Sequence, residues 1–172
     1  MNILTPARKA GEFVVYKKHG IYEISEIRAE KIAGEAKTYY VLKSVYDANV
    51  TVYVPADKEE LTSQMESPLT KAEIEGIVEK SKGTEIELPE VNSERFAFCE
   101  EIIAQGDLSK ILALLLLLKK SKEEALLQKR KLFAHDERML AASQNIIREA
   151  FAFPLGMDKK NVIDCVTANL AE

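Results

Sequence analysis

The sequence predicts an α+β protein in two parts: a small antiparallel β-module, then an all-helical domain of about four helices. Three observations lead there. From Phe13 to Pro55, β-branched and aromatic residues dominate and are interrupted by turn residues, with alternation clear over Ile21–Arg28. From Ser93 onward, apolar residues recur at helical spacing. Between them, SKGTEIELPEVN (81–92) is polar and holds one Gly and one Pro, so the boundary between the parts is expected there. The expected organisation is a β-rich domain over 1–66, a short helix and linker over 67–92, and a helical domain over 93–172.

The expected strands are FVVYK (13–17), IYEISEIRAE (21–30), TYYVLKSVY (38–46) and VTVYVP (50–55). Alternation in the second slips near Ser25, as a β-bulge would make it. Turns are expected at His19-Gly20, Ala33-Gly34-Glu35 and Asp47-Ala48-Asn49. Short strands joined in order suit a small curved antiparallel sheet or open barrel.

After Pro55 the strand signals stop. Thr70-Lys71-Ala72-Glu73 is a capping-box pattern, and Ile74, Ile77 and Val78 follow at helical spacing, so a short helix is expected over about 70–80. Ser93 is the expected cap of a helix that stops at Gly106. Asp107 caps the next, running to about Phe133. Asp136 caps a third to Phe153, ended by Pro154 and Gly156, and Asp158 a last one to about Ala171. Leu108, Ile111, Leu112, Leu115, Leu116 and Leu118 form a wide apolar face, which Leu126, Leu127, Leu132 and Phe133 are expected to extend.

Composition bounds the function classes. Of the 172 residues, 47% are hydrophobic and 30% charged, an ordinary composition for a globular chain, and the formal net charge is −4. No global basic field draws such a chain to nucleic acid or anionic membrane, so any DNA contact must be a local patch. The longest apolar run, Ile111 to Leu118, falls far short of the about 20 residues that span a bilayer. Cys99 and Cys165 stand far apart in no metal spacing, which suits a reducing cytoplasm. The first residues, MNILTPARKAGEF, lack a signal-peptide pattern.

No catalytic set emerges. His19 reads as a turn residue and His135 as part of a helix start. Cys99, among Phe96, Phe98, Ile102 and Ile103, reads as a buried thiol without a base to activate it. No Gly-rich phosphate loop follows a strand. The expectation is a non-enzyme with neither cofactor nor metal.

Charge is uneven. Residues 1–92 hold 12 Lys and Arg against 16 Asp and Glu, whereas 93–172 hold 12 of each. Within the latter, Lys119, Lys120, Lys122, Lys129, Arg130 and Lys131 face only Glu123 and Glu124. Such a segment can neutralise a few phosphates, with a salt-dependent affinity. It also reads as a solvated face beside a very apolar stretch.

The stretch AGEFVVYKKHGIYEISEI…YYVLKSVYDANVTVYVP, residues 10–55, resembles the N-terminal domain of CarD/CdnL transcription regulators, shared with transcription-repair coupling factors. Gly11, Val14-Val15-Tyr16, His19-Gly20, Tyr40-Val41-Leu42 and Val54-Pro55 carry the likeness. It continues through Asn92-Ser93, Arg95, Gly106-Asp107 and Glu137-Arg138-Met139-Leu140-Ala141. The resemblance implies a Tudor-like β-domain that binds the β subunit of bacterial RNA polymerase. It also implies a helical domain that touches promoter DNA at the upstream edge of the bubble, where a Trp wedges into the minor groove.

The sequence departs from that pattern at the DNA end. It has no Trp. Asn92 aligns with the wedge position, and Glu94, Ala97 and Glu137 stand where relatives are often basic. An Asn can hydrogen-bond in the minor groove but does not unstack bases as an indole does.

For docking, the physical reading is a strand edge whose unpaired N–H and C=O groups a partner strand completes, with the hairpin of residues 21–46 expected to supply it. Arg28, Glu30, Tyr53 and Pro55 are the candidate polymerase contacts. Asn92, Arg95, Lys119, Lys120, Lys122 and Arg138 are the candidate DNA contacts.

Overall fold

The computed structural model describes residues 7–17, 20–32 and 34–170. The expected turn at His19 and the Ala33 position lie outside them. The chain divides into two compact units, Met1–Pro68 and Leu69–Glu172.

The first unit is an antiparallel sheet. Its strands are β1 (Phe13–Tyr16), β2 (Gly20–Ile32), β3 (Glu35–Ser44), β4 (Thr51–Pro55) and β5 (Met65–Glu66), in the order β4-β3-β2-β1-β5. A one-turn helix α1 (Glu59–Thr62) separates β4 from β5. Neither α1 nor β5 was expected, because segments of four and two residues are too short to display a period. The turn between β3 and β4 is built as its residues predict. Asp47 C=O accepts from Val50 N–H at 3.1 Å, and the Asp47 carboxylate accepts from Asn49 N–H at 3.0 Å.

The slip at Ser25 is a real register shift between Ile24 and Glu26. It decides which side chains face inward. Ile24 opposes Leu42, and past the bulge Ile27 opposes Tyr40, so two isoleucines three residues apart share one face. That face packs a core of Val14, Tyr16, Ile24, Tyr40, Leu42, Val54 and Met65. Ser25 Oγ donates to Val41 C=O at 3.1 Å.

The second unit holds α2 (Lys71–Lys82), α3 (Asn92–Gln105), α4 (Leu108–Leu127), α5 (Ala134–Leu155) and α6 (Lys159–Leu170). Thr70 forms the capping box: its Oγ1 accepts from Glu73 N–H, and the Glu73 carboxylate accepts from Thr70 N–H at 2.7 Å. Ile74 of α2 belongs to the same buried cluster as the later helices, with Ile77 and Val78 packed against it. The compact units therefore meet at 68/69, not within 81–92, and α2 is part of the helical unit rather than of a linker. Its apolar face needed a partner that spacing alone does not name.

The four later helices match the expected number, with shifted ends. Val91, not Ser93, precedes α3, and no side chain caps it. Asp107 caps α4, accepting from Ser109 N–H at 2.9 Å. Helix α4 stops at Leu127, six residues before the expected end, and α5 begins at Ala134 with Asp136 inside its first turn rather than capping it. Gly106 and Gly156 end α3 and α5 in left-handed conformation, φ 72 and 62.

Helix α4 is apolar nearly all round over Ile111–Leu118 because it packs against α2, α3 and α5. Ile111, Leu112, Leu114, Leu115 and Leu118 are buried with Ile147, Phe151 and Val162. The expected extension of this face fails: Leu126, Leu127 and Phe133 are 61%, 85% and 64% exposed. They lie beyond the stretch that neighbouring helices cover. Among the described residues no helix is long and apolar enough to cross a membrane.

Candidate functional site

Strand pairing brings the four sheet candidates to one surface. Glu26 opposes Val41, which opposes Tyr53; Arg28 opposes Tyr39, which opposes Pro55; Glu30 opposes Lys37. Paired residues point the same way, so Arg28, Glu30, Tyr53 and Pro55 share the face opposite the core. Val41 is buried in its middle, and Tyr53 is 53% exposed above it.

Arg28 sits at the centre of this face. It bonds the Glu26 carboxylate on one side and Glu30 at 3.5 Å on the other. Its guanidinium carbon lies 6.0 Å from the centre of the Tyr53 ring. The hydrogen bond and charge of Glu26 raise the Arg28 pKa further above its ordinary value. These pairs are solvent-exposed and add little to stability. They hold a planar, five-donor group in one orientation beside an exposed aromatic.

The border of this face is the free side of β4, which pairs with β3 alone among the described strands, and not the expected hairpin of residues 21–46, whose strands β2 and β3 each pair with a strand on both sides. Two bonds set the phase of that ladder: Ser44 N–H to Val50 C=O at 3.1 Å, and Ala56 N–H to Thr38 C=O at 2.8 Å. Alternate residues of an antiparallel strand bond alternate sides. Val52 and Val54 therefore bond β3, while Thr51 and Tyr53 turn their N–H and C=O groups outward. Pro55 ends the row and offers no donor.

Of the six helical candidates, Arg95 and Lys122 are already engaged with carboxylates. Arg95 grips Asp136 with two parallel bonds, Nε to Oδ1 at 3.0 Å and Nη2 to Oδ2 at 2.5 Å. Asp136 is 1% exposed. His135 packs its ring on Phe96, centroids 4.1 Å apart, and its buried Nε2 makes no hydrogen bond. Lys122 pairs with Glu137 at 3.3 Å. Lys119 is half-buried, whereas Lys120, Arg138 and Asn92 are exposed. These contacts join the starts of α3 and α5 to the second half of α4.

Cys99 is fully buried, as its neighbours in sequence predict. Burial first, and then the Asp136 charge, push its thiol pKa up, away from nucleophile chemistry. Among the described residues no group of three or more His, Cys, Asp or Glu side chains is placed to hold a metal ion.

Sequence reading missed one surface. The exposed Leu126, Leu127 and Phe133 flank the cations Lys129, Arg130 and Lys131. The signal was present in the string ALLQKRKLF, but helical periodicity assigned its apolar members to the core.

The first unit is thus a small antiparallel interaction module: an exposed Arg–Tyr face beside an open strand edge. Residues 9–66 match the family model of the CarD-like/TRCF RID domain, in agreement with the resemblance seen in the sequence. The match covers the sheet from before β1 through the end of β5 and stops two residues before the first unit does.

Proposed function

We propose that this chain is a cytoplasmic transcription regulator that binds the RNA polymerase β subunit through its β unit and modulates initiation. The carrying observation is the match of residues 9–66 to the CarD-like/TRCF RID domain, on a sheet whose β4 edge is open among the described strands. In this reading a strand of the polymerase adds to β4 through the N–H and C=O groups of Thr51 and Tyr53. Tyr53, Arg28, Glu30 and Pro55 on the adjoining face supply specificity. A β-lobe fragment should be captured by the full chain, and capture should weaken on Tyr53→Ala or Arg28→Glu. Absence of capture by the unaltered chain removes this reading.

The helical unit makes a weak or altered promoter DNA contact in this proposal. Asn92, Lys119, Lys120, Lys122 and Arg138 contribute to it, and Arg95 positions the start of α3 through Asp136. A second reading, a protein-interaction adaptor that has lost DNA binding, is favoured by the absence of Trp and by the pairing of Arg95 and Lys122 with carboxylates. Binding to forked promoter DNA across a salt series separates the two. Direct contact gives a steep slope that Lys119, Lys120 and Lys122→Ala reduces. The adaptor reading gives no DNA binding, with polymerase capture retained.

A further inference from the structure

The loop between α4 and α5 carries chemistry that the reading above leaves unused. Leu126, Leu127 and Phe133 stand well exposed. Lys129, Arg130 and Lys131 lie between them, also exposed, and no carboxylate occurs between Glu124 and Asp136. Three large apolar side chains in water and three adjacent cations both work against a stable isolated surface.

The turn that presents them is specific. Arg130 N–H donates to Ala125 C=O at 2.8 Å, and Lys129 N–H to Leu126 C=O at 2.9 Å. This is the paired bonding of a Schellman turn, which needs one residue in left-handed conformation. Lys129 is that residue, with φ 54. Glycine fits the position with less strain, and the chain uses it at the ends of α3 and α5. A cation held where glycine fits better is a sign of use, in the direction from outlier to function. Arg130 is further oriented by a hydrogen bond to the Gln128 side chain.

A ligand that accepts cations and apolar side chains together satisfies both features. DNA does so: phosphates take Lys and Arg, and Leu or Phe wedges enter a base step and unstack it. We propose that residues 126–133 form a DNA-contacting wedge, with Lys129, Arg130 and Lys131 on phosphates and Leu127 and Phe133 at a loosened base step. The choice of DNA over an anionic lipid surface rests on the transcription reading. The wedge lies in a different element from Asn92, the position that the family resemblance marks.

The test uses the full chain, a forked duplex carrying 2-aminopurine at the junction, and a salt series. The unaltered chain should bind with a negative salt slope and brighten the probe. Replacing Lys129, Arg130 and Lys131 by Ala should make the slope shallower by about 0.9 for each cation. Leu127→Ala with Phe133→Ala should keep the slope, abolish the brightening and weaken binding on the order of tenfold. Lys129→Gly should raise the melting temperature while still losing one cation's share of the slope, which separates binding from unfolding. An unchanged slope in the triple variant overturns the proposal, as does failure of the unaltered chain to bind the fork. Binding to phosphatidylserine vesicles that depends on these residues, without fork binding, also overturns it. Capture of the polymerase β-lobe fragment is measured on the same samples. Fork binding absent from the unaltered chain with capture intact removes the wedge and the promoter contact together and leaves the polymerase reading standing; a triple variant with unchanged slope and capture removes the wedge alone; capture lost with fork binding intact removes the polymerase reading alone.

Discussion

Asp136 is a carboxylate with almost no contact with solvent, and the Arg95 guanidinium is its partner. Removing one member of a buried pair leaves the other charge uncompensated, which costs more than the pair itself contributes. Arg95→Ala should therefore destabilise the helical unit by about 3 kcal/mol, read from urea unfolding. Arg95→Lys should recover only part of it, because a point charge cannot reproduce two parallel bonds. An unchanged midpoint for Arg95→Ala would mean that Asp136 finds another partner. The contrast with Arg28 is instructive. Both arginines hold carboxylates, but Arg28 does so in water beside Tyr53. Arg28→Ala should leave stability nearly unchanged and report on binding. Sequence gave both residues the same standing; burial of the partner separates them.

At the scale of elements, the caps decide the acid response. Hydrogen bonds from Thr70, backbone first and then side chain, hold the Glu73 carboxyl below its ordinary range. For Asp107, partial desolvation pushes upward, but the N–H groups of Lys110 and Ser109 and the Lys80 ammonium prevail and lower it. A carboxylate whose folded value is depressed stabilises the fold above its unfolded value. That contribution is lost as pH falls through the folded value. The helical signal should therefore melt at lower temperature once pH drops below the ordinary carboxylate range. Asp107→Ala should cost about 1 kcal/mol at neutral pH and flatten part of this acid dependence. A variant that keeps the full acid slope would assign it to other carboxylates. The bulge at Ser25 acts at the same scale. Its single extra residue sets Ile24 and Ile27 on the core side and Arg28 with Glu30 outside, so one irregularity positions the candidate face.

At the scale of the molecule, each unit carries its own core. All six tyrosines fall within residues 16–53, and the chain has no Trp. Tyrosine fluorescence therefore reports on the β unit alone, while far-UV dichroism at the helical minimum reports mainly on the second unit. Leu115 is fully buried in the helical core. Leu115→Ala should cost about 2–5 kcal/mol through lost transfer energy and a cavity. The expected result is an earlier helical transition with an unmoved tyrosine transition. A joint shift of both would contradict separate cores.

Much of the fold is legible in the sequence. Strand-forming residues broken by turn residues over 13–55, the slip at Ser25, the capping box at Thr70 and the glycine stop at Gly106 are local signals, and each rests on interactions within a few residues. They determined the α+β class, the order of the longer elements and the candidate sheet residues. Only the tertiary structure decided what required a distant partner. It assigned α2 to the helical core, ended α4 at Leu127, spent Arg95 on a buried Asp136 and left Leu126, Leu127 and Phe133 in water. The physical reason is that hydrophobicity and charge are properties of a residue, whereas burial and pairing belong to what the rest of the chain brings against it.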